Sequence, residues 1–237
     1  MKERVLLLTS LGLMLFSCKQ EDTPKVKYEN EVDSLRFEYQ KIDTTELKIS
    51  DLPIHFKQMD YIMHPIGKIR VKTSGNKYSG TSSEISYSIS SYNEPEITGM
   101  LNNILFQKLD ATEMLPLTDR KMLIQSITFL DQLALNSNKK YLLYNVYDID
   151  TNKDEKYDTN DIKSLYISLQ DGSNFQKLSL DMQEVLDWKV LEAKNRLYFR
   201  TIEDINKNGE FDSKDNLNYF YVDLLNDSLT VEKYLPL

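Results

Sequence analysis

Two acidic stretches, residues 150–161 and 204–215, carry side-chain oxygens at nearly every second position. In the first, Asp150, Asn152, Asp154, Asp158 and Asp161 stand at positions 1, 3, 5, 9 and 12 of a twelve-residue run. In the second, Asp204, Asn206, Asn208, Asp212 and Asp215 stand at the same positions, with Gly209 at position 6. A Ca²⁺ ion takes about six to eight hard oxygen ligands, and a tight turn of this length aims alternate side chains and one backbone carbonyl at a common centre. Lys156 and Glu210, at position 7, would supply that carbonyl. Without an ion, carboxylates crowded into one turn repel each other. Both runs therefore predict Ca²⁺ as the cofactor. The alternative is a pair of acidic, solvated hairpin turns.

The two runs differ at position 6, which needs a positive or strained φ. Gly209 suits it, whereas Glu155 accepts a cost of roughly 1 kcal/mol or more. The first run offsets this with a fourth carboxylate, since the second places Asn208 where the first has Asp154. The spacing resembles EF-hand-type loops. Asp at position 12 and strand-like flanks make it more similar to dockerin and other extracellular calcium loops than to helix-flanked sensors. The resemblance implies affinities of about 10⁻⁴ to 10⁻³ M.

The segments that must position these runs are short and rich in aromatic and β-branched residues. Residues 141–147, 164–169, 196–202 and 217–224 are of strand length and end at turn residues. They belong to a repeat, because Asp150 and Asp204 are equivalent and 54 residues apart. Apolar strand candidates at 124–135 and 185–191 precede the two copies. A weaker upstream copy has strands near 61–71, at 83–92 and at 103–109, a loop at 93–102 and a return strand at 113–118. Its loop, 93–100, lacks the oxygen pattern. Four strands per unit at this period predict blades of the propeller type.

Residues 165–178 read LYISLQDGSNFQKL, a strand, an Asp-Gly-Ser turn and a returning strand. This hairpin resembles the outer hairpin of TolB-like propeller repeats, and residues 103–118 are similar. The resemblance implies an all-β fold of three antiparallel four-stranded propeller-like blades, with a β-sandwich as the alternative. Three blades are fewer than a closed propeller usually needs. Residues 25–56 supplying extra strands, an open arc, or a homodimer completing the ring would each resolve this.

The chain opens MKERVLLLTSLGLMLFS and then Cys18, its only cysteine. Two early cations and a short apolar run predict a secretory signal peptide rather than a membrane span. The run Leu15-Phe16-Ser17-Cys18 resembles the bacterial lipobox. It implies cleavage before Cys18 and lipidation there, with acyl chains of the palmitate type as a membrane anchor. The acidic Glu21-Asp22 that follows is similar to export signals of surface lipoproteins in Bacteroidota, which implies an outer-membrane or cell-surface location. The expected organisation is a signal peptide at 1–17, a lipidated tether and N-terminal segment at 18–55, and β units at 56–120, 121–181 and 182–237. The second and third units carry the calcium loops.

Net charge is −8, which argues against nucleic acid as a partner. The two histidines, His55 and His64, have no nucleophile or metal ligand at a suggestive spacing. No Gly-x-Ser-x-Gly elbow, phosphate loop, dinucleotide fingerprint or HExxH motif occurs. No catalytic residue is assigned. The expected function is a non-catalytic, membrane-anchored surface lipoprotein stiffened by calcium. The alternative is a module binding a glycan or a peptide for an outer-membrane uptake system, with Trp188 as a residue that would pack inside or stack on a sugar.

Overall fold

A computed structural model describes residues 24–28, 46–70 and 87–236. Cys18, the segment 1–17, most of the tether and the first part of the expected 83–92 strand lie outside these residues. The described chain is mostly antiparallel β, with strands β1 (Glu46–Ser50), β2 (Tyr61–Arg70), β3 (Ser90–Asn93), β4 (Glu96–Lys108), β5 (Met114–Pro116), β6 (Leu123–Phe129), β7 (Tyr141–Tyr147), β8 (Lys163–Leu169), β9 (Gln176–Lys177), β10 (Gln183–Leu191), β11 (Arg196–Glu203), β12 (Asn216–Asp223) and β13 (Val231–Lys233). One helix, α1 (Asp131–Ser137), follows β6. No described helix is long and apolar enough to cross a membrane.

Strand pairing gives three antiparallel runs of four: β1-β2-β4-β5, β6-β7-β8-β9 and β10-β11-β12-β13. The expectation of three separate four-stranded blades is corrected by one strand. The N-terminal half of β4 pairs with β6, Glu96 opposite Thr128 and Ile97 opposite Ile127, so the first two runs share one nine-stranded sheet. The third run is a sheet of its own.

β4 also overturns the loop expected at 93–102. Glu94 and Pro95 make a tight turn between β3 and β4, and the strand continues from Glu96 without a loop. Burial explains why: Ile97 and Leu101, then Ile104 and Phe106, are all buried, and a bulge at Leu101–Asn103 in the extended chain turns both same-parity pairs to the core. The strand expected at 124–135 is also corrected, because it stops at Phe129. Asp131-Gln-Leu-Ala-Leu-Asn-Ser then forms α1, with Leu133 and Ala134 buried and Asn138 closing the turn in the left-handed conformation. β1 falls within residues 25–56, one of the three alternatives for completing the blades, and it pairs with β2 from Glu46 opposite Arg70 to Ser50 opposite Ile66.

Two hydrophobic clusters lie on opposite faces of the middle run. Leu142, Tyr144, Val146 and Tyr166 meet Met63, Ile104 and Phe106 of the first run. From the other face, Leu143, Leu165 and Ile167 meet Val185, Leu197, Phe199, Phe220 and Val222 of the third. β7 and β8 are thus buried on both sides and read as near-continuous apolar runs. Each fully buried Leu, Ile or Phe contributes on the order of 1.5–3 kcal/mol. The hairpin β8–β9 turns at Asp171-Gly172, where φ is +80° and a Cβ would lie 2.6 Å from the Phe106 ring. Only glycine meets both demands.

Candidate metal centre

The stacked strands carry the two acidic runs as equivalent connections. Residues 150–161 join β7 to β8, and residues 204–215 join β11 to β12. The first run offers no counterpart at 93–100, which is a turn and a strand.

The same hydrogen-bond pattern closes both loops. At position 1, Asp150 Oδ2 accepts the Glu155 N–H at 2.8 Å, and Asp204 Oδ2 accepts the Gly209 N–H at 2.7 Å. At position 3, Asn152 Oδ1 accepts from the Asp154 N–H at 3.0 Å and Asn206 Oδ1 from the Asn208 N–H at 2.9 Å. At position 5, Asp154 Oδ1 accepts from Lys156 and Asn208 Oδ1 from Glu210. At position 12, Asp161 Oδ2 accepts from Asp158 at 3.0 Å and Asp215 Oδ2 from Asp212 at 2.9 Å. Asn160 and Lys214 donate to the position 9 carboxylates of Asp158 and Asp212. Short polar side chains bonding the backbone two residues ahead are what hold such a turn together.

Backbone dihedrals repeat as well. Lys153 and Lys207, at position 4, have φ of +57° and +56°; Glu155 and Gly209, at position 6, have φ of +65° and +83°. The left-handed conformation expected at position 6 is therefore adopted by glutamate in one loop and glycine in the other. Gly209 is constrained a second time, because a Cβ there would lie 2.3 Å from the Val26 carbonyl oxygen.

Burial is uneven around the loops. Asp161 is completely buried and Asp204 is 6 % exposed, while Asn206, Asn208 and Glu210 face solvent. Burial pushes the Asp161 carboxyl up, against the lowering effect of N–H donors from Asp158, Thr151 and Asn152. Asp204 Oδ1 is buried with no hydrogen-bond partner. A buried carboxylate oxygen without a donor is expensive, and an ion or a water is the usual remedy.

Among the described residues no three His, Cys, Asp or Glu side chains stand grouped to hold a metal ion. The side-chain oxygens at positions 1, 3, 5, 9 and 12 accept backbone N–H bonds instead, and Lys156 Nζ lies 3.4 Å from Asp154 Oδ2. The donor set still suits a hard cation. Both loops hold carboxylates, amide oxygens and a position 7 carbonyl, with no sulfur or imidazole. The orphaned Asp204 oxygen is the point at which such an ion would enter.

Five neighbouring residues were not legible as part of this region. Pro24, Lys25, Val26, Lys27 and Tyr28 lie across both loops. The Lys27 N–H donates to the Thr151 carbonyl at 2.9 Å, and the Val26 N–H to the Gly209 carbonyl at 3.3 Å. The Thr151 hydroxyl donates to the Lys25 carbonyl, Lys25 Nζ pairs with Glu184 at 2.9 Å, and the Tyr28 hydroxyl donates to Asp204 Oδ2 at 3.0 Å. Val26 is 2 % exposed.

The solvent side of the four-stranded sheet β10-β11-β12-β13 holds a second feature. Tyr198, Tyr219, Tyr221 and Tyr234 cluster there with ring centroids 5.5–6.1 Å apart. Arg196 stacks on Tyr221 at 4.4 Å, and Arg200 pairs with Asp187. Residues of this face border an open depression of about 350 Å³. Trp188 stands opposite Phe199, packs half-buried on the inner cluster, and also borders this depression. The period-two alternation of Tyr219-Phe220-Tyr221-Val222 carried the signal for this face.

The histidines are held by structural partners. His55 Nε2 bonds the Met59 carbonyl and His64 Nε2 bonds Gln107 Oε1, each at 2.9 Å. No protein-family model, curated protein or solved structure matches this chain.

Proposed function

We propose that the protein is a non-catalytic lipoprotein, anchored through Cys18 on the bacterial outer membrane or cell surface, whose β domain is stiffened by two calcium ions. The buried, partnerless Asp204 Oδ1 carries the calcium part of this reading. The matching bond patterns of the two loops support extending it to Asp150, Asn152, Asp154, Asp158 and Asp161. Ca²⁺ would cancel carboxylate repulsion and stabilise the native state by mass action. At ten times the dissociation constant each site adds about 1.4 kcal/mol. Residue 24 follows Cys18 by six positions, a reach of at most about 20 Å. Lipidation at Cys18 would therefore keep the loops close to the bilayer, outside the cytoplasm, where weak sites fill. Thermal unfolding with calcium and with EDTA tests the reading, and mass spectrometry of the mature N-terminus tests the anchor. Equal melting temperatures, unchanged again in Asp204→Ala and Asp150→Ala, would sink the calcium part.

For the finer architecture we favour a sandwich-like stack of the three four-stranded runs over separate propeller blades. A middle run buried on both faces supports this, with the first two units fused through β4.

One observation favours a second reading, a glycan- or peptide-binding module. The four outer tyrosines offer stacking faces, and Arg200 beside them offers donors. A glycan-array screen of the full chain, repeated with Tyr219→Ala, tests it. Retention that the substitution leaves unchanged would count against this face.

A further inference from the structure

We infer that residues Lys25–Tyr28 form a strap that couples the two calcium loops, so that an ion in one raises the affinity of the other. This inference rests on the calcium reading above. The strap touches each loop at a position that controls a ligand. At the second loop, the Tyr28 hydroxyl occupies Asp204 Oδ2, leaving the buried Oδ1 as the oxygen still lacking a partner. The Val26 N–H holds the carbonyl of Gly209, and the Val26 carbonyl lies where a side chain at that glycine would stand. At the first loop, Thr151 is the relay. Its hydroxyl donates to the Lys25 carbonyl, its carbonyl accepts from Lys27, and its N–H donates to Asp161 Oδ1 at 2.8 Å. Asp161 is the buried position 12 carboxylate.

An ion that orders either loop therefore orders the strap, and an ordered strap preforms the other loop. The coupling is reciprocal by linkage. It also ties the chain that leads to Cys18 onto the domain when calcium is bound. Sequence separation makes this a tertiary device, since Tyr28 and Asp204 are 176 residues apart and Lys25 and Thr151 are 126 apart.

Calcium titration of the full chain in detergent tests it, by calorimetry, on the wild type, Asp150→Ala, and each combined with Val26→Gly and Tyr28→Phe. The wild type should bind two ions. Asp150→Ala should weaken the remaining 204–215 site by about 5-fold or more, within the usual range of such couplings. In the strap variant the transmitted loss should fall below about 2-fold, since Val26→Gly removes the buried side chain that seats the strap and Tyr28→Phe removes its bond to Asp204. Wild-type amide exchange at Val26 and Lys27 should slow on adding calcium, a readout that needs no substitution. Two ions bound with no transmitted loss, or a loss the strap variant leaves intact, overturns the coupling while the calcium reading stands. Absence of calcium binding by the wild type at millimolar ion overturns both.

Discussion

The hydroxyl of Tyr28 donates a 3.0 Å hydrogen bond to Asp204 Oδ2, joining the N-terminal strap to the first residue of a loop near the C-terminus. Burial, then the Asp204 carboxylate, pushes the phenol up to about 12. Phenol and carboxylate together leave one buried oxygen of Asp204 without a donor. In Tyr28→Phe this part-buried bond to a charged acceptor is lost, at a cost of about 1–2 kcal/mol. Chemical denaturation should show that loss in EDTA. A midpoint equal to wild type would mean that the contact contributes nothing in solution.

Position 6 gives opposite signs in the two loops. Glu155→Gly relieves a positive φ of +65° at an exposed site and should stabilise by up to about 1 kcal/mol, with tighter calcium binding. Gly209→Ala imposes strain at φ +83° and drives a Cβ into the Val26 carbonyl. It should cost more than about 2 kcal/mol, combining αL strain with overpacking. Melting curves of the two variants check this, and equal shifts would contradict the twin-loop description.

Alkali should unfold the domain through its buried tyrosines. Burial raises the pKa of Tyr144 and Tyr166 and takes Tyr147 to about 12. A folded value above the unfolded one means that the proton is held more tightly in the native state. The contribution to stability is then complete below the unfolded value near 10.0 and is lost as pH rises through the folded values. Tyrosinate absorbance should rise in two stages, with the last tyrosines ionising only as circular dichroism collapses. A single smooth titration ahead of unfolding would refute this.

Acid should release a clasp between the first and second runs. Asp60 Oδ2 accepts from Lys140 Nζ at 2.7 Å and from Gln170 Nε2 at 2.8 Å, and these bonds lower its pKa below the ordinary 3.8. Its contribution is present above the unfolded value and lost as pH falls through the folded one. The carboxylate is 56 % exposed, so solvent screening limits the effect to no more than about 1 kcal/mol. Urea midpoints of wild type and Asp60→Ala should differ at neutral pH and converge in strong acid.

Most of the local structure was legible along the chain, because strands with one buried face write their alternation into the residues. The alternation at 141–147 and 196–202 predicts strands, and these residues fold within β7 and β11. The oxygen spacing of both loops was legible for the same reason: an Asx-rich turn is a local object, and Asp150 and Asp204 each bond a backbone N–H five residues ahead. At 93–102 and 124–135 sequence and structure part where local propensity is weak. Asn-Glu-Pro resembles a loop start, and Asp131-Gln-Leu-Ala continues an apolar pattern that suits strand or helix until packing chooses.

The sequence by itself determined the short apolar run that ends at Cys18, the all-β character, the spacing of 54 residues between Asp150 and Asp204, and two oxygen-rich loops with a glycine in one and a glutamate in the other. Tertiary structure alone decided that β4 fuses two units into one sheet, that Trp188 packs inward while four tyrosines face out, and that residues 24–28 lie across both loops. The physical reason is range. Turn chemistry and strand periodicity act between neighbours, whereas the Tyr28–Asp204 bond, the Lys25–Glu184 pair and the orphaned Asp204 oxygen exist only after distant segments have been brought together by burial of the core.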